Sequence, residues 1–280
     1  MKAAPFEYVR ATSVPHAIEL LQQHAGRAKL MSGGQSLGPM LNLRLARPAV
    51  VVDISTVPEL RQVTQQKGML RVGAAVTHAE IEDGVHEALR GSVLQQVAGG
   101  IAYRAVRTRG TLGGSLAHAD PAADWVLAAV ALGAQVEIAG PGGSRRVAAD
   151  AFMQGAYTTV LDDAEMISAV HIPPADTQAR WGYYKFCRKT GEFAHASCAA
   201  WFDARTRVAR IAVGALDGAP QLLPALAARV AQQGLAALPQ QDILQEMAAL
   251  MPDKDGAQHT LHGTAVRRCL AQLFDGREMQ

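Results

Sequence analysis

Little in this chain points to resident metal or nucleophile chemistry. Cysteine is scarce: the 280 residues hold Cys187, Cys198 and Cys269, and no C-x-x-C pair. Neither a zinc site nor an iron–sulfur cluster is therefore expected within it. The odd count and wide spacing suit buried, reduced thiols in a cytoplasmic protein. Long apolar runs are missing as well. No stretch reaches the ~18 consecutive apolar residues that a membrane-spanning helix needs. The opening MKAAPFEYVR lacks the apolar core of a secretory signal, so none is expected. Charge of one sign is also absent. With 27 Lys+Arg against 25 Asp+Glu, the net charge is +2, which argues against a nucleic-acid binder working through bulk charge. The densest basic stretch, Arg104, Arg107 and Arg109, is spaced among apolar residues and is expected to face solvent or a partner surface. There is no H-E-x-x-H pair, no G-x-G-x-x-G fingerprint and no Gly-Lys-Ser/Thr phosphate loop.

What remains is apolar material and glycine in two telling places. With 49% hydrophobic and 19% charged residues, the chain can bury sizeable cores, and its length suits two modest domains. The stretch RTRGTLGGSLAHADPAADW, 107–125, holds Gly110, Gly113 and Gly114, bracketed by Thr111 and Ser115 and followed by Asp120 and Asp124. Paired glycines let a backbone approach a ligand closely and permit positive φ. Hydroxyls and exposed N–H groups beside such a turn suit phosphate oxygens. Ionised aspartates accept hydrogen bonds from ribityl or ribose hydroxyls or a ring N–H. A second stretch, KLMSGGQSLGPMLNLR, 29–44, pairs Gly33 with Gly34 between Ser32 and Ser36, and lies between apolar runs at 28–31 and 49–54. That order, strand, Gly-rich turn, connection, strand, predicts a small βαβ unit that could hold phosphates. Arg44 and Arg47 flank its connection, as phosphate neutralisers or as plain surface arginines.

Other elements can be read from their punctuation. Residues 13–25 predict an amphipathic helix capped by Ser13, with Pro15 in its first turn. Thr77 with Glu80 predicts a capping box. Residues 86–98 read as helix with a weak point at Gly91. Strands are expected at 70–75, 165–172, 181–187, 197–203 and 207–213, and helices at 224–233, 240–251 and 260–273. Pro173-Pro174-Ala175-Asp176 is the best domain boundary. The 107–125 stretch is expected to be a turn followed, after Asp124, by a helix and a strand.

The two glycine stretches, SGGQSLGPMLNLRLARPAVVVDIS and RGTLGGSLAHADPAADW, together with FEYVRATSVPHAIELL and YYKFCRKTGEFAHAS, resemble the FAD-binding medium subunits of the molybdenum hydroxylases, the family of xanthine dehydrogenase and carbon monoxide dehydrogenase. The likeness covers the whole chain. It implies an α+β fold: a two-subdomain FAD-binding (PCMH-type) domain over 1–175, divided into 1–56 and 57–175, then a C-terminal α+β domain of antiparallel sheet plus helices over 176–280. It implies that Ser32, Gly33, Gly34, Gln35 and Ser36 wrap the FAD pyrophosphate, as do Thr111, Gly113, Gly114 and Ser115. It places Asp120, Asp124 and Ile167 in the same site, and Lys185 near the polar edge of the flavin ring. Related covalent flavoproteins use a histidine where Gln35 stands, so the FAD is expected to be non-covalent. His118 and Tyr103 are, on their own, a hydrogen-bonding residue and a packing residue. Molybdopterin and [2Fe-2S] clusters are expected on partners: a small iron–sulfur subunit and a large molybdopterin subunit, assembled as a dimer of heterotrimers. The acceptor is NAD, oxygen, a quinone or another carrier. The benzoyl-CoA reductase branch needs an extra four-cysteine cluster, which three cysteines cannot supply. Lys189 and Glu192 stand where arginine and aspartate are commoner in the family, which leaves acceptor choice open. The alternatives are a stand-alone FAD-dependent oxidase or reductase with its own substrate site, and a non-redox nucleotide-binding or scaffolding module.

Overall fold

A computed structural model describes residues 2–174, 179–233 and 238–274. The chain begins with strand β1 (Glu7–Arg10) and helix α1 (Val14–His24). The Ser13 side chain accepts from the His16 N–H at 3.2 Å, and Pro15 lies in the first turn. Ala17, Ile18, Leu20 and Leu21 form the buried face of α1, and left-handed Ala25 ends it. Strand β2 (Ala28–Met31), helix α2 (Leu37–Asn42) and strand β3 (Val50–Asp53) follow. The three strands form a parallel sheet in the order β1-β3-β2. Its centre is β3, where all four side chains of VVVD are buried, as a strand covered on both faces requires. The expected βαβ unit is thus present, with β1 added at its edge.

Next come β4 (Val63–Gln66) and β5 (Met69–Gly73), then α3 (His78–Glu82), α4 (Val93–Gly99), α5 (Arg104–Arg107), α6 (Leu112–His118) and α7 (Asp124–Ala131). Thr77 caps α3 with the full capping box, and Gly91, at φ +71°, breaks the helical run as expected. Residues 112–118 depart from expectation: they are helix, so Gly113 and Gly114 lie in the first turn of α6. Helix α7 is also unusual, with all eight residues buried. Strands β6 (Gln135–Gly140) and β7 (Gly143–Ala148), helix α8 (Ala149–Phe152), the hairpin β8 (Met153–Gly155) and β9 (Thr158–Thr159), and β10 (Met166–Ile172) complete this part. They build an antiparallel sheet in the order β4-β5-β10-β6-β7.

The C-terminal layer contains β11 (Ala179–Phe186), β12 (Ala196–Asp203), β13 (Val208–Gly214) and β14 (Gln221–Leu222), then α9 (Pro224–Gln233), α10 (Gln240–Leu250) and α11 (Gly256–Phe274). The sheet is antiparallel in chain order. Helix α11 lies against β11 and β12 so closely that a Cβ on Gly182 would come within 2.3 Å of the Cys269 carbonyl oxygen. The other face of the sheet meets α7, which is therefore apolar all round. Arg210 on β13 donates through Nε (3.3 Å) and Nη2 (3.0 Å) to the Val130 carbonyl at the end of α7. The fold class is α+β. Of the proposed boundary, Pro173 and Pro174 follow β10, while Ala175 and Asp176 lie outside the described residues. Cys198 and Cys269 are buried as expected, but Cys187 is half-buried. Among the described residues no helix is long and apolar enough to cross a membrane.

Candidate cofactor site

The two glycine stretches meet. The first leaves β2 at Met31, turns at Gly34 with φ +69°, and enters α2. Here glycine is required, because a left-handed residue with a Cβ is strained. Gly33 is required for another reason. A Cβ built on it would lie 1.9 Å from the Arg109 carbonyl oxygen and 2.9 Å from the Gly110 Cα. The backbones of the two stretches are thus in direct contact.

The second stretch is held from below by a short antiparallel segment. The His78 N–H donates to the Gly110 carbonyl at 2.8 Å, Leu112 to Val76 at 3.1 Å and Gly113 to Ala74 at 2.9 Å. Thr111 is the N-cap of α6, its Oγ1 accepting from the Gly114 N–H at 3.2 Å. The reading of this stretch as an open turn is therefore corrected. Thr111 caps a helix, and neither Gly113 nor Gly114 has positive φ. The pair divides its work. Gly113 is buried, and a Cβ there would lie 2.4 Å from the Ala74 Cβ. Gly114 is exposed, and its Cβ would meet only Thr111 Oγ1, at 2.7 Å.

The polar residues around this junction are specific in their bonds. Ser32 Oγ is buried and makes no hydrogen bond. Exposed Gln35 donates from Nε2 to its own loop at the Gly33 carbonyl, 3.4 Å away, and Ser36 makes no side-chain cap for α2. Ser115 is half-buried on the first turn of α6. Asp120 is 8% exposed, its Oδ1 accepting from the Ala122 N–H at 2.9 Å and its Oδ2 from the Tyr157 hydroxyl at 3.0 Å. Asp124 opens α7, and its Oδ1 accepts from Lys185 Nζ at 2.7 Å and from the Tyr183 hydroxyl at 2.5 Å. Lys185 also donates to the Gly100 carbonyl at 2.8 Å. Two strand residues of the C-terminal layer thus grip one carboxylate of the N-terminal part. Burial, then the Asp124 charge, pushes the Tyr183 phenol well above its ordinary pKa, so it remains a donor. Ile167 lies on β10 opposite Ile138, buried in the main core where the strand register shifts.

Some of these groups carry no clear mark in the sequence. Tyr183 was overlooked, although it stands two residues before Lys185 on a strand and so shares its face. His78 was overlooked too. The residue is 5% exposed, its ring packs 6.1 Å from Trp125, and neither ring nitrogen forms a hydrogen bond. Burial drops its pKa to about 4, against smaller upward pulls from the nearby Thr111 backbone and the Asp124 charge.

The arginines of 104–109 are not free as a group. Arg104 pairs with Glu82 (2.6 Å) and Asp83 (2.6 Å), and Arg107 pairs with Glu82 at 2.8 Å. Arg44 donates to the Lys2 carbonyl and Arg47 to the Arg44 carbonyl, each at 3.0 Å. His118 packs its ring on Tyr157 at 5.2 Å. Tyr103, 59% exposed, lies against Gly191, in the same turn as Lys189 and Glu192.

The residues fit FAD. Gly34 and Gly114 present backbone with only side-chain atoms nearby, Ser32 Oγ is a buried hydroxyl in want of a partner, and Asp120 and Asp124 at the end of the second stretch, with Lys185 paired to Asp124, supply acceptors and a cation. Comparison with known proteins agrees. Residues 4–175 match the family described as "FAD binding domain in molybdopterin dehydrogenase". The carbon monoxide dehydrogenase medium chain of Hydrogenophaga pseudoflava is 38% identical over 69% of this chain and 68% of its own. The nicotine 6-hydroxylase medium subunit of Paenarthrobacter nicotinovorans is 37% identical over 80% of this chain and 79% of its own. A solved structure of the carbon monoxide dehydrogenase from Hydrogenophaga pseudoflava superposes with a TM-score of 0.88 at 30% identity, covering 98% of this chain and 99% of that one. The chain belongs to the FAD-binding medium subunits of the molybdopterin dehydrogenases, a family of oxidoreductases.

Proposed function

We propose that this chain is the electron-transferring flavin subunit of a heteromeric molybdenum hydroxylase. One observation carries the proposal: two glycine stretches far apart in sequence meet at Gly33 and Arg109, and an aspartate at the end of the second stretch is paired with a lysine from the C-terminal layer. FAD, when bound, would supply the redox chemistry between an iron–sulfur partner and an external acceptor. The chain's residues bind and tune it. The Ser32–Ser36 loop and Thr111, Gly114 and Ser115 would hold the pyrophosphate, while Gly113 lets the first turn of α6 seat on Ala74. Asp120 and Asp124 would accept from hydroxyl or ring N–H groups. Lys185 would place positive charge near the ring, favouring its reduction. Ile167 would support the ring's apolar side from within the core. Gln35 cannot form the histidyl bond, so the FAD is held non-covalently.

The proposed domains are 1–175, with subdomains 1–56 and 57–175, and 176–280. A second buried cluster built around Ile211, Leu226, Met247, Val266 and Leu270 supports the separate C-terminal core. The proposed partners are a small [2Fe-2S] subunit and a large molybdopterin subunit in a dimer of heterotrimers, and the proposed compartment is the cytoplasm. Purification of the tagged chain from its host, with flavin absorbance and iron and molybdenum analysis, tests this. The expected result is a yellow complex of three chains containing both metals. A yellow chain purified alone with full turnover of its own substrate would replace this reading with that of a stand-alone flavoenzyme.

A further inference from the structure

One residue in contact with Asp120 adopts a conformation its side chain disfavours. Tyr157 occupies the second place of the two-residue turn, Ala156-Tyr157, that joins β8 to β9, with Gly155 paired to Thr158. Its φ is +58°, a left-handed value for which turns ordinarily recruit glycine or asparagine. The residue is 62% exposed, so apolar burial does not account for it. Three contacts hold it there. The Tyr157 N–H donates to the Ala119 carbonyl at 2.8 Å, and Ala119 is itself left-handed at φ +52°. The ring rests on His118 at 5.2 Å. The hydroxyl donates to Asp120 Oδ2 at 3.0 Å. Strain of this kind persists where surrounding contacts over-determine it, and it gathers at ligand sites.

We propose that Tyr157 is a positioning residue for Asp120. It fixes the carboxylate by one oxygen while the Ala122 N–H holds the other, so that the remaining lone pairs face the cofactor in one orientation. The inference rests on the reading that Asp120 contacts FAD. A carboxylate accepts up to about four hydrogen bonds, so two bonds leave capacity for a ligand hydroxyl. Held at both oxygens, the group cannot rotate to another rotamer, and a ligand meets an acceptor already in place. Asparagine or glycine would satisfy the backbone of this turn but could not reach Asp120 with a phenolic donor.

The experiment is a double-mutant cycle on FAD affinity. Apo forms of the wild-type complex and of Tyr157→Phe, Asp120→Asn and the double variant are titrated with FAD, followed by flavin fluorescence and by visible circular dichroism of the bound flavin. Tyr157→Phe removes one oxygen and should weaken FAD binding roughly three- to tenfold, since it deletes a charge-assisted hydrogen bond that orders the carboxylate. Its thermal midpoint should stay within a degree or two of wild type. Asp120→Asn should weaken binding at least as much, and adding Tyr157→Phe to it should produce no further loss. Tyr157→Gly, which relieves the left-handed strain, should bind FAD as weakly as Tyr157→Phe while remaining folded. If Asp120→Asn binds FAD as wild type does, the assignment of Asp120 to the cofactor fails. If Asp120→Asn binds weakly but Tyr157→Phe binds normally, or if the two losses add in full, the positioning role of Tyr157 is overturned.

Discussion

Replacing Gly33 by alanine puts one methyl group where two backbones touch. That methyl carbon would lie 1.9 Å from the Arg109 carbonyl oxygen, 2.6 Å from its carbon and 2.9 Å from the Gly110 Cα. Non-bonded heavy atoms rest at roughly 3.5 Å, so the two stretches must separate by roughly 1.5 Å. Neither is free to move. The Gly33 loop is fixed between β2 and α2, and Arg109 and Gly110 are tied by the Gly110–His78 and Leu112–Val76 hydrogen bonds. Overpacking of this sort costs about 1–3 kcal/mol, and more where backbone opposes backbone. Because ~1.4 kcal/mol is a tenfold change in affinity, FAD binding across the junction should weaken by about ten- to a hundredfold, and the thermal midpoint should fall. Two neighbouring alanines serve as controls. Gly34→Ala meets only the Met31 side chain, Sδ nearest at 3.4 Å, but forces a Cβ into φ +69°, which costs about 1–2 kcal/mol. Gly38→Ala, inside α2 with nothing within 4 Å, should retain FAD and gain slightly in stability. The assay is fluorescence titration of each apo variant with FAD beside a thermal melt. Wild-type affinity and melting in Gly33→Ala would refute the contact, and equal losses in Gly38→Ala would refute its specificity.

Three further outcomes are expected. Lys185→Met should lower the flavin midpoint potential by tens of millivolts, since ~30 mV corresponds to about 1.4 kcal/mol for a two-electron couple; an unchanged potential with FAD fully bound would remove Lys185 from the ring. Acid denaturation followed by filtration should leave all the yellow colour in the filtrate, and flavin retained with the precipitated chain would contradict the role given to Gln35. His78 makes stability fall with acid. Its folded pKa, about 4, lies below its ordinary 6.5, so the unfolded chain binds the proton first. The group's contribution is intact above pH 6.5, is lost at about 1.4 kcal/mol per pH unit as the pH falls through that window, and levels off below about 4. Urea unfolding of wild type and His78→Asn at pH 7 and pH 5 checks this, and an identical pH slope for both would sink it.

How far could the site be read before the fold was known? Elements with chemical punctuation were legible: Ser13 and Pro15 opening α1, the Thr77–Glu80 box at α3, the break at Gly91, and the valine run that becomes β3. The helix at 112–118 was not. Two consecutive glycines oppose helix by about 1 kcal/mol each, and what overrides them is the Thr111 cap and the flush fit of Gly113 on Ala74, a contact between distant segments. Strands β1 and β4 escaped because each is four residues long at a sheet edge, and β4 is largely polar. The pairing of Asp124 with Lys185 was sensed only as two polar residues of one site. That a tyrosine shares the same carboxylate oxygen depends on how β11 lies over α7, which no local pattern encodes.

Helix α7 has a consequence for how the molecule comes apart. Its Trp125, Val126, Leu127 and Val130 are each at most 3% exposed, because the N-terminal part covers some of its faces and the C-terminal sheet covers the rest. Undocking that sheet would bare an apolar helix to water, break the Arg210 bonds to Val130 and strand the Asp124 carboxylate without its cation. The proposed flavin site and the C-terminal layer packed on α7 should therefore melt as one cooperative unit, with a single calorimetric transition. A mutation on β12 or β13, outside both glycine stretches, should release FAD at the same temperature at which it unfolds the chain.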